Sequence, residues 1–175
     1  VGLIELNLQG SSTKVNNGGL ILNREALTIQ YSRLTGGNAN NGGAIYNAGV
    51  LSDTQKTVGT VAISNSILQN NKADQGAALY TDMPYYRITQ SVIRDNTITT
   101  KNGSLLYTNI GSKDPTIGVN ILYNGASGSR NSTIFNNTGG CVANIREGMV
   151  LNNVTMIRND AGLYLQAPKW IVKTT

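Results

Sequence analysis

The sequence predicts an all-β fold, a single-chain right-handed parallel β-helix of about six coils. Two observations carry that expectation, and a third supports it. The phrase Gly42-Gly43-Ala44-Ile45-Tyr46-Asn47 returns as Gly76-Ala77-Ala78-Leu79-Tyr80 and as Gly103-Ser104-Leu105-Leu106-Tyr107. Weaker copies stand at Gly18-Gly19-Leu20-Ile21-Leu22-Asn23, at Gly139-Gly140-Cys141-Val142-Ala143-Asn144 and at Gly162-Leu163-Tyr164-Leu165. Each is a glycine turn that opens into a short apolar run, the pattern of a brief strand leaving a tight corner. Between these copies lies a second phrase that aligns without gaps. Leu27-x-Ile29-x-Tyr31-Ser32-x-Leu34 matches Val61-x-Ile63-x-Asn65-Ser66-x-Leu68, Tyr86-x-Ile88-x-Gln90-Ser91-x-Ile93 and Met149-x-Leu151-x-Asn153-Val154-x-Met156. Finally, no stretch sustains apolar spacing at three and four residues, so helices are not expected.

Taken in order, Val1 to Asn17 alternates through Ile4, Leu6 and Leu8 and reads as a partial first coil. In the later coils, period-two alternation puts Ile29, Ile63, Ile88 and Leu151 in one inward column. Of the fourth unit only Asn131-Ser132-Thr133-Ile134 shows the second phrase. Three residues beyond the last apolar position stand Asn71, Asn96, Asn137 and Asn159, with Gly37 in the first copy. Asparagine tolerates the left-handed backbone of a sharp corner, and stacked amides can hydrogen-bond from coil to coil. Tyr46, Tyr80, Tyr107 and Tyr164 recur within the glycine phrase and are expected to stack. Connections after the asparagine are short everywhere. Those after the glycine phrase expand from Ala48 to Thr60 and from Asn109 to Arg130, with Thr81-Asp82-Met83-Pro84-Tyr85 between them. Gly125-Ala126-Ser127-Gly128-Ser129-Arg130 reads as the flexible tip of the longer insertion.

These two phrases together resemble the right-handed parallel β-helix repeats of microbial cell-surface proteins, the polymorphic outer-membrane-protein and predicted outer-membrane-repeat type. The likeness rests on Gly42-Gly43-Ala44-Ile45, Ile67-Leu68-Gln69-Asn70-Asn71 and Thr133-Ile134-Phe135-Asn136-Asn137, and it runs from Gly18 to Leu165. It implies an extracellular or cell-surface location and a passenger or adhesin-like role. Some coils lack the doubled glycine of the pattern.

Composition narrows the function. Among 175 residues, 39% are hydrophobic and 13% charged, so polarity comes from amides, hydroxyls and glycine rather than from ions. The net charge of +5 is scattered singly, without the basic runs interleaved with aromatics that nucleic-acid binding uses. A single cysteine, Cys141, allows no intrachain disulfide and reads as a small buried residue. With no histidine, neither a Ser-His-Asp triad nor a Cys-His pair can form. No acidic cluster has calcium-ligand spacing, so no metal or cofactor is expected. Ice binding would need an unbroken outward threonine column, and Thr28, Ala62, Arg87 and Val150 share one column instead. Four glycosylation sequons, at Asn102, Asn131, Asn136 and Asn153, are what chance supplies in so Asn-rich a chain.

The reading that follows is a non-catalytic structural or adhesive surface module, residues 1–175 forming one domain of a longer chain. The alternative is a carbohydrate-active hydrolase or lyase with its acids on the insertions, Asp53 with Asp82 or Asp114. Asp74, Asp95 and Asp160 fall near neighbouring corners, but Asp95 aligns with Asn70 and Asn136 and reads as a turn residue. Candidate contact residues for a partner are Asp53, Lys56, Tyr85, Lys113 and Asp114, all on the corner that carries the insertions. Two partners are expected: a surface glycan, and further polypeptide stacked on open coil ends, self-assembly included. Lys169-Trp170-Ile171-Val172 reads as a strand beginning beyond the last repeat. No apolar run is long enough to span a membrane.

Overall fold

The computed structural model describes residues 1–48, 50–51, 56–57, 59–82, 86–109, 128–145 and 150–165. Among them it is a parallel β-helix of six coils with no helix. Each of the first four coils passes through four short strands. Face I holds Gly2–Ile4, Ala26–Gln30, Thr60–Ser64 and Tyr86–Thr89, each parallel to the next. Face II stacks Asn7–Gln9, Arg33–Thr35, Ile67–Gln69 and Val92–Arg94. Two long strands, Gly128–Phe135 and Val150–Ile157, run through both faces and join them into one ten-stranded sheet. Face III stacks Val15–Asn17, Asn38–Asn41, Lys72–Gln75 and Thr97–Ile98. Face IV stacks Ile21–Asn23, Ile45–Asn47, Leu79–Thr81, Ser104–Thr108, Cys141–Ile145 and Ala161–Leu165.

Because the register is one residue over one residue, inward positions stack into columns that are apolar in most coils. Leu3, Ile29, Ile63 and Ile88 lie over one another and continue through Ser129 to Leu151. Ile29, Ile63 and Ile88 are fully buried, and Leu151 packs on the core from the last coil. A second column runs Leu8, Leu34, Leu68, Ile93, Ile134, Met156. Face IV supplies Ile21, Ile45, Leu79, Leu106, Ala143 and Leu163. Each fully buried Ile or Leu contributes about 1.5–3 kcal/mol, so these columns are the main stabilising term.

The chain turns at three corners through left-handed residues. Between faces I and II these are Glu5, Tyr31, Asn65, Gln90, Asn131 and Asn153. Between II and III they are Gly36, Asn70, Asp95, Asn136 and Arg158, and between III and IV Gly18, Gly42, Gly76 and Gly139. The third set is glycine for a local reason: at Gly42, with φ +70°, a Cβ would lie 2.4 Å from the Ile45 carbonyl oxygen.

Four expectations change in detail. The ladder asparagines are not themselves left-handed; the residue before each one is, so turning and hydrogen bonding belong to neighbouring positions. Gly128–Arg130 is not a loop tip but the start of a strand, paired with Arg87–Thr89 and with residues 150–152, so the longer insertion ends at residue 127. The shorter insertion, 48–59, contains a two-stranded antiparallel ladder, Val50–Leu51 against Lys56–Thr57. In the first coil Ile4 and Leu6 are exposed and Leu3 and Leu8 face the core, because the left-handed Glu5 breaks the alternation between them.

Candidate functional site

Polar groups inside the solenoid are organised as ladders. Asn71, Asn96 and Asn137 are buried and form the first with Asn159. Gly37 N donates to Asn71 Oδ1 at 2.9 Å. Asn71 N and Nδ2 both donate to Asn96 Oδ1, at 2.9 and 3.0 Å. Asn96 N and Nδ2 donate in the same way to Asn137, and Asn137 N and Nδ2 to Asn159. Each side-chain nitrogen also donates to a carbonyl of the preceding coil, Asn96 to Leu68 O at 3.0 Å. The expected amide ladder is therefore present and absorbs both hydrogens and the oxygen of each internal member.

A second ladder was visible as a repeated residue but not as a device. Leu6, Ser32, Ser66 and Ser91 donate their backbone N–H groups to Ser32, Ser66, Ser91 and Ser132 Oγ, at 3.1 to 3.3 Å. The hydroxyls of Ser32, Ser66 and Ser91 each donate back to the carbonyl two residues earlier, at 2.7 Å. The signal was the Ser that recurs in four copies of the second phrase, Ser32, Ser66, Ser91 and Ser132; its use appears only when coils are stacked.

The remaining corner, between faces IV and I, carries the insertions. Asn23, Asn47 and Thr81 stand over one another at its base. Asn23 Nδ2 donates to Asn47 Oδ1 at 2.7 Å and to Glu25 O at 2.6 Å; Asn47 Nδ2 donates to Thr81 Oγ1 at 3.0 Å and to Gly59 O at 2.9 Å. Both ends of the 48–59 insertion are thus clamped, and a Cβ at buried Gly59 would lie 2.6 Å from Asn47 Oδ1. The backbone ladder continues one residue into each loop, through Ala48 N to Asn23 O, Asp82 N to Asn47 O and Asn109 N to Thr81 O.

Beside these clamps runs the aromatic column. Tyr46 and Tyr80 stack with centroids 4.9 Å apart and planes 9° apart, and Tyr80 and Tyr107 at 5.0 Å and 14°. Tyr164 lies in the same column, but Asn144 occupies the coil between it and Tyr107, so the expected stack has three members in contact. Asp82 ties this column to the loops: Tyr46 Oη donates to Asp82 Oδ2, and Asn109 Nδ2 donates to Asp82 Oδ1 at 3.0 Å. Burial, and then the bond to Asp82, push the Tyr46 phenol well above its ordinary value, so it stays a donor through the neutral range. Burial raises Tyr86 likewise; its side chain is core, packed over Val61 in the register.

Asp82 is the member of the expected acidic group whose side chain can be placed, and both of its oxygens are engaged across coils. Asp53, Tyr85, Lys113 and Asp114 lie outside the described residues, and Lys56 is placed by its backbone alone, in the antiparallel ladder. The corner aspartates Asp74, Asp95 and Asp160 bond to the scaffold. Asp74 takes Lys14 Nζ at 2.9 Å and the Thr99 hydroxyl. Asp95 takes Arg94 and Asn136, and Asp160 takes Gly139 N at 2.7 Å. Burial raises the half-buried Cys141 thiol, whose Sγ lies 3.5 Å from Gly103 O, and this keeps it protonated. Among the described residues no three His, Cys, Asp or Glu gather as a metal site would require. Compared with known proteins, the chain matches no family model, no curated protein and no solved structure.

Proposed function

We propose that the chain is a non-catalytic structural or adhesive module of an extracellular or cell surface, and that recognition belongs to the corner between faces IV and I. The observation that carries this reading is the division of labour among polar residues. The Asn and Ser side chains of the two ladders, and Asp74, Asp95 and Asp160, are bound to the scaffold, whereas variation in length is concentrated at one corner with clamped bases. Loops on a rigid scaffold can change composition and length without disturbing the core, which is what a recognition surface needs. The resemblance of the repeats to microbial surface β-helices points the same way, with a surface glycan as the partner class.

Replacing 112–125 with a short Gly-Ser link tests it. The shortened protein and the full chain are compared for binding to a panel of immobilised surface polysaccharides. Loss of binding by the shortened protein, with its thermal transition kept, is the expected result; equal binding moves the site off this corner. The enzyme reading, with Asp53, Asp82 and Asp114 as acids, is tested on the same panel. Depolymerisation that disappears in Asp82→Asn and Asp114→Asn would replace the module by a hydrolase or lyase.

A further inference from the structure

The corner between faces III and IV turns at the left-handed glycines Gly18, Gly42, Gly76 and Gly139 in the first, second, third and fifth coils. The fourth coil makes this corner differently, with no left-handed residue between Ile98 and Ser104. Here the chain closes a turn in which Gly103 N donates to Thr100 O at 3.0 Å. Both ends of the turn are held. The Thr100 hydroxyl donates to Asp74 O at 2.8 Å, and Gly103 is buried, with no room for a Cβ against that same carbonyl oxygen. Lys101 and Asn102, at the tip, are exposed, and the Asn102 amide makes no hydrogen bond to the described residues.

We propose that Asn102 is a modification site at which the chain converts its own asparagine to isoaspartate and aspartate, slowly and irreversibly. Gly103 N, having given its proton to hydroxide, attacks Asn102 Cγ. The Cγ–Nδ2 bond breaks, Nδ2 takes a proton from water and leaves as ammonia, and a succinimide ring remains. Water then opens the ring. Addition at the backbone carbonyl leaves isoaspartate, with the chain running through the side-chain carbon, and addition at Cγ leaves aspartate. The sum is one water consumed and one ammonia released, with no oxidant or cofactor. Packing demands glycine at position 103, and the same missing side chain leaves its nitrogen open to approach. The attack also needs rotation about the Cα–C bond of the asparagine, which an exposed tip allows. Asn17-Gly18 and Asn41-Gly42 carry the same pair of residues without that freedom. Asn17 pairs with Asn41 and Asn41 with Gln75 on face III, and Asn41 Nδ2 donates to Asn17 Oδ1 at 3.1 Å. Gly18 N and Gly42 N donate across coils to Asn41 O and Gln75 O, at 3.0 and 2.9 Å. The ladder thus holds nucleophile and electrophile out of the reactive geometry. Conversion at Asn102 sets a new carboxylate on this corner and lowers the net charge of +5 by one. The isoaspartyl product also lengthens the backbone just ahead of Ser104–Thr108. None of this depends on what the insertion corner binds.

Incubation of the folded chain in mildly alkaline buffer, below its thermal transition, tests the proposal when peptide mapping by mass spectrometry follows each Asn-Gly pair over time. The Asn102 peptide should convert about tenfold or more faster than those of Asn17 and Asn41, and faster still as pH rises. Isoaspartate should be the larger product, detected by methyl transfer from S-adenosylmethionine with an isoaspartyl methyltransferase. In denaturant, where the ladder is gone, the three sites should convert at similar rates. Asn102→Gln should remove the methyl acceptance of that peptide and leave the circular dichroism unchanged. Asn124-Gly125 lies outside the described residues and is mapped as a peptide of its own. Conversion of Asn17 or Asn41 as fast as Asn102 in the folded chain would overturn the proposal. So would an Asn102 peptide that stays intact while the denatured chain converts, or methyl acceptance in that peptide that survives Asn102→Gln.

Discussion

Between faces II and III, four coils turn through a pair of residues: Asn70-Asn71, Asp95-Asn96, Asn136-Asn137 and Arg158-Asn159. Between faces IV and I the connection ranges from 2 residues, Arg24 and Glu25, to the 19 that separate Thr108 from Gly128. The difference follows from where the buried hydrogen bonds end. At the asparagine corner the Oδ1 atoms of Asn96, Asn137 and Asn159 each accept two donors from the preceding coil, so an added residue would leave a backbone N–H and an amide hydrogen without an acceptor. At the insertion corner the ladder stops at the loop base, in Asn23, Asn47 and Thr81, and the chain beyond is free to lengthen. Uniform length is thus a consequence of ladder chemistry, and variable length marks the place where the ladder ends.

Removing one rung of the asparagine corner should have the largest effect. Asn96→Ala takes the acceptor from two buried donors of Asn71 and leaves the Leu68 carbonyl and Asn137 Oδ1 short of a donor. A loss of about 3 kcal/mol is expected, read as a lower urea midpoint at unchanged slope. A loss under about 0.5 kcal/mol would mean that the corner's uniform length has another cause. The serine ladder should be weaker, since Ser91→Ala deprives one backbone donor, Ser66 N, of its acceptor. About 1.5 kcal/mol is expected, with faster hydrogen exchange confined to the Ser66 amide and its neighbours.

On face III the cross-coil pair of Lys14 and Asp74 should matter less still. The Thr99 hydroxyl first, and then the Lys14 ammonium, hold the Asp74 carboxyl below its ordinary range. A depressed folded-state value means that its contribution is complete above the unfolded-state pKa, about 4, and disappears as pH falls through the lower folded value. Both side chains are substantially exposed, 43% and 31%, so at neutral pH Asp74→Asn should cost no more than about 0.5 kcal/mol. Unfolding curves of the two proteins should converge below the folded-state pKa. A gap that persisted there would assign the effect to packing rather than charge. The smallest change is expected at the insertion corner, where replacing 112–125 by a short link should shift stability by a few tenths of a kcal/mol, from loop-closure entropy. A loss comparable to that of Asn96→Ala would show that the insertion belongs to the fold.

The repeats let much of this be determined from the sequence alone. Ile29, Ile63, Ile88 and Leu151 share a column because a solenoid writes neighbouring strands into one chain at readable intervals, so aligning the phrases amounts to reading the register. The asparagine ladder, the contacts of Tyr46, Tyr80 and Tyr107 and the burial of Tyr86 follow from the same alignment. What only the tertiary structure decided lies where local chemistry is weak or a partner comes from another coil. Gly128-Ser129-Arg130 has little strand propensity of its own and is a strand because the edges of Arg87–Thr89 and residues 150–152 take up its backbone groups on both sides. Ile4 and Leu6 look inward by period-two counting, and the left-handed turn at Glu5 sends them outward. Asp82 has the form of a free loop acid, and its bonds to Tyr46 and Asn109 exist only because coils 36 and 27 residues distant in the chain are stacked beside it.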